Sequence, residues 1–323
     1  MKKILAPILS VIILVGVTLG VFFIASARDT TYTLSIGVHA VEDLANSKIS
    51  YTAAVIVSDD AGKIVTCRID TVDYTASIDQ ATGKLKVVKP QTKMELGSNY
   101  GMVDKAHAIA EWDAQAKHFE SYVVGMTREN VLAISENLTQ GNAPADLIAG
   151  CTMQSSVKDF KVAIQKAFDS QHKTRFKATD KFTVGLAINT SLADNTTDGD
   201  VLANVKYGYA GVVKSGNKYV SAILDETDVT MQITLNADNT IASTAWASRV
   251  TTMSKLEQGD NYGMVAWGKA SGEWYAQAQN YANTIINRTA QTVADLPTEN
   301  VSGCTIYMGG MKQTLLKAAS NVR

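Results

Sequence analysis

Asp146-Leu147-Ile148-Ala149-Gly150-Cys151-Thr152 and Glu299-Asn300-Val301-Ser302-Gly303-Cys304-Thr305 are two copies of one phrase. Each sets an acid, two spacers and a small residue ahead of Gly-Cys-Thr. A second phrase, Asn-Tyr-Gly-Met-Val, occurs at Asn99 to Val103 and again at Asn261 to Val265, ahead of Gly-Cys-Thr both times. Two phrases recurring in one order mark tandem copies of a single unit.

Around the first pair of phrases the residues divide into strands, then helices. Tyr32 to His39, Ser50 to Val57 and Ile64 to Thr71 are rich in Tyr, Thr, Val and Ile, as strands are. Asp59-Asp60-Ala61-Gly62 predicts a hairpin between the last two. Tyr74 to Ile78 and Lys84 to Val88 form a shorter pair about Ala81-Thr82-Gly83. The period then changes. Ile109, Trp112, Ala116, Phe119 and Val123 recur at spacings of three and four, which predicts a helix from about Ala106 to Val123. Glu111, Asp113, Lys117 and Glu120 take its wet side. A short helix from Thr127 to Ile134 and a polar loop with Gly141 and Pro144 lead to the phrase, and Val157, Phe160, Ile164 and Phe168 mark a closing helix.

The second copy repeats the plan. Phe182 to Ile188, Val205 to Val213 and Tyr219 to Leu224 are its strands. Trp274, Ala278, Tyr281 and Ile285 answer Trp112, Ala116, Phe119 and Val123, while Glu273 answers Glu111 and Gln277 answers Gln115. Met311 to Ala319 closes it. Strands followed by helices predict an α+β protein. The expected form is two tandem small, mostly antiparallel twisted sheets with packed helices. Residues 30–172 form the first copy and 182–323 the second, joined by a polar, basic, exposed linker at 173–181.

The N-terminal stretch 1–29 stands apart. Lys2 and Lys3 precede an uncharged run from Ile4 to Ala27. Ala25-Ser26-Ala27 resembles a signal cleavage site, yet the run is long enough to cross about 30 Å of hydrocarbon as a helix. It reads as a transmembrane anchor. The positive-inside rule then leaves the body on the extracytoplasmic side of a cell membrane.

Composition narrows the function classes. The chain of 323 residues is 46% hydrophobic and 19% charged, as a globular protein is. A formal charge of −1 with no basic cluster gives no electrostatic footprint for nucleic acid. The four histidines are scattered without metal-ligand spacing, and three cysteines are too few for a disulfide framework. No Ser/His/Asp or Cys/His arrangement is legible, so the chain reads as a carrier or binder before a substrate-converting enzyme.

In the repeated phrase, glycine allows unusual backbone angles and the close approach of another group. The helix behind it offers free N–H groups to an anion such as phosphate. The phrase can therefore present a threonine hydroxyl beside a phosphate. Ordinary capping is the competing reading, with Ser156 and Asp159 as a capping box. Cys151 and Cys304 read as small buried residues before redox thiols. Trp112 and Trp274 read as core. Tyr100 and Tyr262, in turns beside glycines, are the better candidates to touch a bound ring.

The phrase resembles the flavinylation motif of the FMN-binding domain family, Asp-x-x-Ser-Gly-Ala-Thr-x-Ser/Thr. That family includes flavin subunits of membrane redox pumps and extracytoplasmic electron-transfer flavoproteins. The resemblance implies two divergent FMN-binding domains. It implies FMN joined to Thr152 and Thr305 by a phosphoester, placed by a flavin transferase that consumes FAD. It gives Gly150 and Gly303 the close approach to the flavin phosphate, and sets Asp146 and Glu299 at the acidic position. Cys151 and Cys304 stand where the family has alanine, and Gln154 and Tyr307 where it has a second Ser/Thr. Unknown redox partners would supply and accept electrons. The alternative is a cell-surface binding or structural module of the same fold without flavin.

Overall fold

The computed structural model describes residues 30–136, 148–179, 181–196, 201–247 and 251–323. The proposed anchor and the loop carrying Asp146 lie outside these residues. Among the described residues no helix is long and apolar enough to cross a membrane.

Each half begins as an antiparallel meander. β1 (Thr30–Asp43), β2 (Lys48–Ser58) and β3 (Ile64–Thr75) pair in sequence, as do β7 (Phe182–Asp194), β8 (Val201–Ser215) and β9 (Lys218–Leu235). β4 (Ile78–Asp79) and β5 (Lys84–Leu85) make a two-residue ladder after the first meander. The fourth strands differ. β6 (Thr174–Ala178) joins the first sheet beside β1, with Thr30 opposite Ala178 and Leu34 opposite Thr174. β10 (Ile241–Trp246) joins the second beside β9. The stretch read as an exposed linker thus contains an edge strand. Its Phe176 is buried, with its ring 5.7 Å from those of Tyr32 and Phe182. That apolar ring outweighs the basic residues around it.

Both faces of the first sheet are apolar, as strands covered on both sides require. Tyr51, Ala53, Val55 and Val57 of β2 face the second sheet, while Ala54 and Ile56 face helices. The central strands lie over one another. The Tyr51 ring is 4.7 Å from that of Tyr207 and 6.3 Å from that of Tyr209. Helices cover the outer faces, giving a helix–sheet–sheet–helix stack. On the first sheet lie α3 (Trp112–Tyr122) and α5 (Gln154–Asp169), preceded by α1 (Lys93–Leu96) and α2 (Met102–Ala106), with α4 (Arg128–Leu132) between. On the second lie α7 (Trp274–Ala282) and α8 (Gly309–Ser320), preceded by α6 (Lys255–Gln258). The closing helices sit hard on the first strands. A Cβ on Gly37 would overlap the Ala163 carbonyl of α5, and one on Gly185 the Ala318 carbonyl of α8.

Ion pairs tie the halves reciprocally. Lys317 of α8 meets Glu95 of α1 at 2.7 Å, and Lys166 of α5 meets Glu257 of α6 at 2.8 Å. A third tie involves Glu120 of α3, which the helical pattern placed on the wet side. It is buried, because Arg323 from the second half donates to both carboxylate oxygens at 2.7 and 2.9 Å and Ile69 N–H donates at 2.8 Å. Burial pushes its carboxyl up, and Arg323 and Arg68 offset part of that.

The stripe read as one helix from Ala106 to Val123 is two. His107 takes a left-handed conformation (φ 52°) and ends α2, and α3 starts only at Trp112. Ile109 falls in the gap and is exposed. Ser156 is not a cap either. α5 already begins at Gln154, and its N-cap residue, Met153, makes no side-chain cap bond.

Candidate functional site

The repeated phrases fold into one constellation, built twice from equivalent residues. It starts on the third strand of each meander. Asp70 of β3 accepts the N–H groups of Thr71 and Met94 at 2.8 and 3.1 Å, and Asp225 of β9 those of Glu226 and Leu256 at 2.7 and 3.0 Å. A strand carboxylate thereby fixes the start of α1 or α6. Both side chains are buried, and burial lifts each carboxyl from its ordinary 3.8 to about 7.

The residue just before Met94 or Leu256 is a lysine that lies over aromatic rings. Lys93 Nζ is 5.1 Å from the Tyr100 ring centroid and 5.7 Å from that of Trp112. Lys255 Nζ is 5.0 Å from Tyr262 and 5.4 Å from Trp274. These are cation–π distances. The Asn-Tyr-Gly-Met-Val phrase supplies the tyrosine. Its glycine, Gly101 or Gly263, turns at φ 79° and releases two N–H groups. Glu111 accepts those of Met102 and Val103 at 2.9 and 3.0 Å, and Glu273 those of Met264 and Val265, both at 2.9 Å. This glutamate precedes the tryptophan that opens α3 or α7, so it fastens the phrase to the helix.

One turn further on, Gln115 or Gln277 reaches the Gly-Cys-Thr phrase. Gln115 donates to the Ala110 carbonyl at 2.8 Å, and its Oε1 accepts Thr152 N–H at 2.9 Å and Thr152 Oγ1–H at 3.2 Å. Gln277 donates to the Gly272 carbonyl at 2.8 Å, and accepts the N–H and Oγ1–H of Thr305 at 2.7 and 3.0 Å. Both amides are buried, and each is bonded through its nitrogen and its oxygen. The phrase itself is a tight turn closed by Cys151 N–H to Ile148 C=O, and by Cys304 N–H to Val301 C=O, both at 3.0 Å. Gly150 (φ 80°) and Gly303 (φ 71°) make that turn possible.

The site residues expected from sequence divide accordingly. Thr152 and Thr305 are exposed residues whose hydroxyls are held by glutamines, with Gly150 and Gly303 beneath them. Cys151 and Cys304 are free, buried, and raised above ordinary thiol pKa by burial, so they are packing residues and poor thiolates. Glu299 is exposed on the loop before its turn. Asp146 lies outside the described residues. Sequence reasoning missed the glutamines, the buried aspartates and the lysines as parts of this site. The lysine and the glutamine recur at fixed offsets from the tryptophan, which was the available signal, whereas the spacing of the aspartate differs between the copies.

A cavity of about 520 Å³ opens beside the second constellation. Lys255, Tyr262 and Trp274 form one wall. Ile306 and Tyr307, directly after Thr305, form another, and the first turns of α8 a third. Lys206 and Glu226 line it from the sheet, and Glu226 pairs with Lys255. A larger cleft of about 580 Å³ lies between the halves, where the His172 ring stacks on Tyr275 at 3.9 Å. Neither repeated threonine lines this cleft or the smaller cavity, and Ile306, next to Thr305, lines the cavity. Among the described residues, no group of three or more His, Cys, Asp or Glu side chains gathers as a metal site.

No family model matches the chain, and no curated protein matches it. Among solved structures it is similar to an exported protein from Bacteroides fragilis described as having a YmcC-like fold. The identity is 7%, over 68% of this chain and 94% of that one, with a TM-score of 0.11. A likeness that weak carries no argument about fold or function.

Proposed function

We propose that the chain is a membrane-anchored, extracytoplasmic electron carrier, built from two FMN-binding-like units, that holds FMN through the threonine of its Gly-Cys-Thr phrase. The observation that carries this reading is the setting of that threonine. A positive-φ glycine turn and a buried glutamine fix a hydroxyl on an exposed residue, ahead of a long helix whose N-cap, Met153 or Met308, makes no side-chain cap bond. Uncapped N–H groups at a helix start favour a negative charge such as that of a phosphodiester. The leader, with Lys2 and Lys3 ahead of an apolar run, supports the anchor and the outward orientation.

The residues around Thr305 fit the group. A cavity of about 520 Å³ is in the range of small-molecule sites, and Tyr262 and Trp274 offer aromatic surface to a flat ring. Gln277 orients the threonine, and Lys255, paired with Glu226, stands on the same wall. Bound there, FMN would supply one- and two-electron redox chemistry that the chain's own side chains lack. Attachment forms one Oγ1–P bond, breaks the pyrophosphate bond of FAD, and releases AMP and the hydroxyl proton.

A second reading is a surface module of the same fold without flavin. One observation favours it: each threonine hydroxyl is already donated to a buried glutamine, so the phrase also works as a structural latch. Production with a competent flavin transferase separates the two. The flavoprotein absorbs in the visible and gains the mass of FMN less water. A colourless protein of unmodified mass rejects the attachment.

A further inference from the structure

Resting on the flavin reading above, we infer that the two halves are not equivalent, and that only the second is a ligand compartment, for one flat aromatic group bearing an anionic tail. The first half keeps the constellation as a brace. Five positions in the described residues carry the difference.

Three lie in one row across each sheet. In the first sheet the row is His39, Thr52 and Thr71, and in the second it is Asn189, Gly208 and Glu226. The rows correspond because Thr71 and Glu226 each follow the buried aspartate of their strand, Asp70 or Asp225. In the first sheet the row is filled. Thr52 and Thr71 hydrogen-bond through their hydroxyls at 2.9 Å, and both are buried. His39 reaches up to Asp159 of α5 at 3.5 Å. In the second sheet the middle of the row is Gly208, over which the buried Thr314 side chain of α8 packs, and Glu226 turns aside to Lys255.

The other two positions lie on the closing helices. Asp159, the sixth residue of α5, corresponds to Thr314, the sixth of α8. Where Asp159 closes on His39, Thr314 folds back to donate to the Gly310 carbonyl of its own helix at 2.8 Å. Ser155, the second residue of α5, corresponds to Gly310, which lines the cavity. A Cβ on Gly310 would meet nothing within 4 Å, so the space above it is open. Asn189, Gly208, Glu226, Gly310 and Thr314 all line the 520 Å³ cavity. Two glycines, Gly208 and Gly310, border it, and the exposed ring of Tyr307 stands beside it.

The test is a fluorescence titration of the unmodified full chain with free FMN and with riboflavin, on wild type, Gly310→Leu and Ser155→Leu. Gly310→Leu adds a side chain at a helical position that lines the cavity and where a Cβ meets nothing within 4 Å, and leucine is the better helix former, so the fold should be retained. Its melting temperature, equal to or above that of wild type, verifies this. The expected result is one flavin per chain, binding weakened at least tenfold by Gly310→Leu, and no change with Ser155→Leu. Two flavins per chain, or equal losses from both variants, would overturn the asymmetry and leave the flavin reading standing. Riboflavin binding that Gly310→Leu abolishes, in a chain that a transferase never modifies, would sustain the compartment and sink the phosphoester attachment. Binding of neither probe overturns the inference.

Discussion

At the scale of single residues, the account rests on Gln115 and Gln277. Each spends its donor on a carbonyl of its own segment and its acceptor on two groups of one threonine. Gln277→Ala removes the partner of the Gly272 carbonyl and of Thr305 N–H, inside a buried contact. The expected loss is about 1–3 kcal/mol, the cost of stranding buried polar groups, read from urea unfolding curves. A loss under about 0.5 kcal/mol would mean that the clamp is not made. Asp70 and Asp225 set a pH dependence. Each is an acid whose folded pKa, about 7, lies above its unfolded 3.8. Between those values the folded state keeps a proton that the unfolded chain has released. The contribution of each to stability is therefore complete below about pH 4 and lost as pH rises to about 7. The slope is at most about 1.4 kcal/mol per pH unit for each carboxyl. Asp225→Asn keeps an acceptor for the same N–H groups and should flatten that decline. An unchanged slope would contradict the assignment. Little of this was legible in the sequence beyond the repeated phrase. Gly-Cys-Thr stands out because a tight turn tolerates few residue types, whereas a glutamine in a helix or an aspartate in a strand looks like any solvated side chain until its partners are known.

At the scale of elements, the strands were legible and the helix starts were not. Tyr32 to His39 and Ser50 to Val57 lie within β1 and β2, because a strand buried on both faces is almost uninterrupted in apolar and β-branched residues. The helical stripe overran, since Ile109 sits at the right spacing but the backbone has already left the helix at His107. Glu120 was misplaced for a similar reason: its partner, Arg323, is 203 residues away. The phrase turns make a prediction at this scale. Gly150 sits at φ 80°, and a Cβ there would lie 2.6 Å from the His118 ring. Gly303 sits at φ 71°, and its Cβ would overlap the Asn280 amide, which donates to the Gly303 carbonyl. Gly150→Ala and Gly303→Ala should each destabilise the fold by more than about 1 kcal/mol, since a non-glycine residue pays that in the left-handed region before any clash is counted. Melting temperatures within 1 °C of wild type would show that the turn is made differently.

At the scale of the whole molecule, the halves are joined more closely than the sequence indicated. Repeated phrases gave two copies, but nothing in them revealed that the copies stack sheet on sheet with Tyr51 against Tyr207, or that the expected linker is a strand. Such a face is visible only once both sheets exist, because its apolar residues look the same whether they face a helix or a second sheet. Chemical unfolding should therefore be a single transition, with near- and far-ultraviolet circular dichroism coinciding. A separated first half, residues 30–178, should expose its inner face and aggregate or bind an apolar dye. Two separate transitions, or a well-behaved isolated half, would contradict this packing. The proposed anchor and outward orientation are tested at this scale too. Protease added to intact cells should degrade the body, and protection until lysis would reverse the topology.

The central claim is that a threonine of the repeated phrase carries flavin, and that the second one has the compartment for it. The most direct test is the intact mass and visible spectrum of the full chain made with a flavin transferase, for wild type, Thr152→Ala, Thr305→Ala and the double variant. The account predicts one FMN on wild type, kept in Thr152→Ala and absent from Thr305→Ala and from the double variant, with all four proteins folded. An unmodified wild type, or a flavin that survives in the double variant, would contradict it.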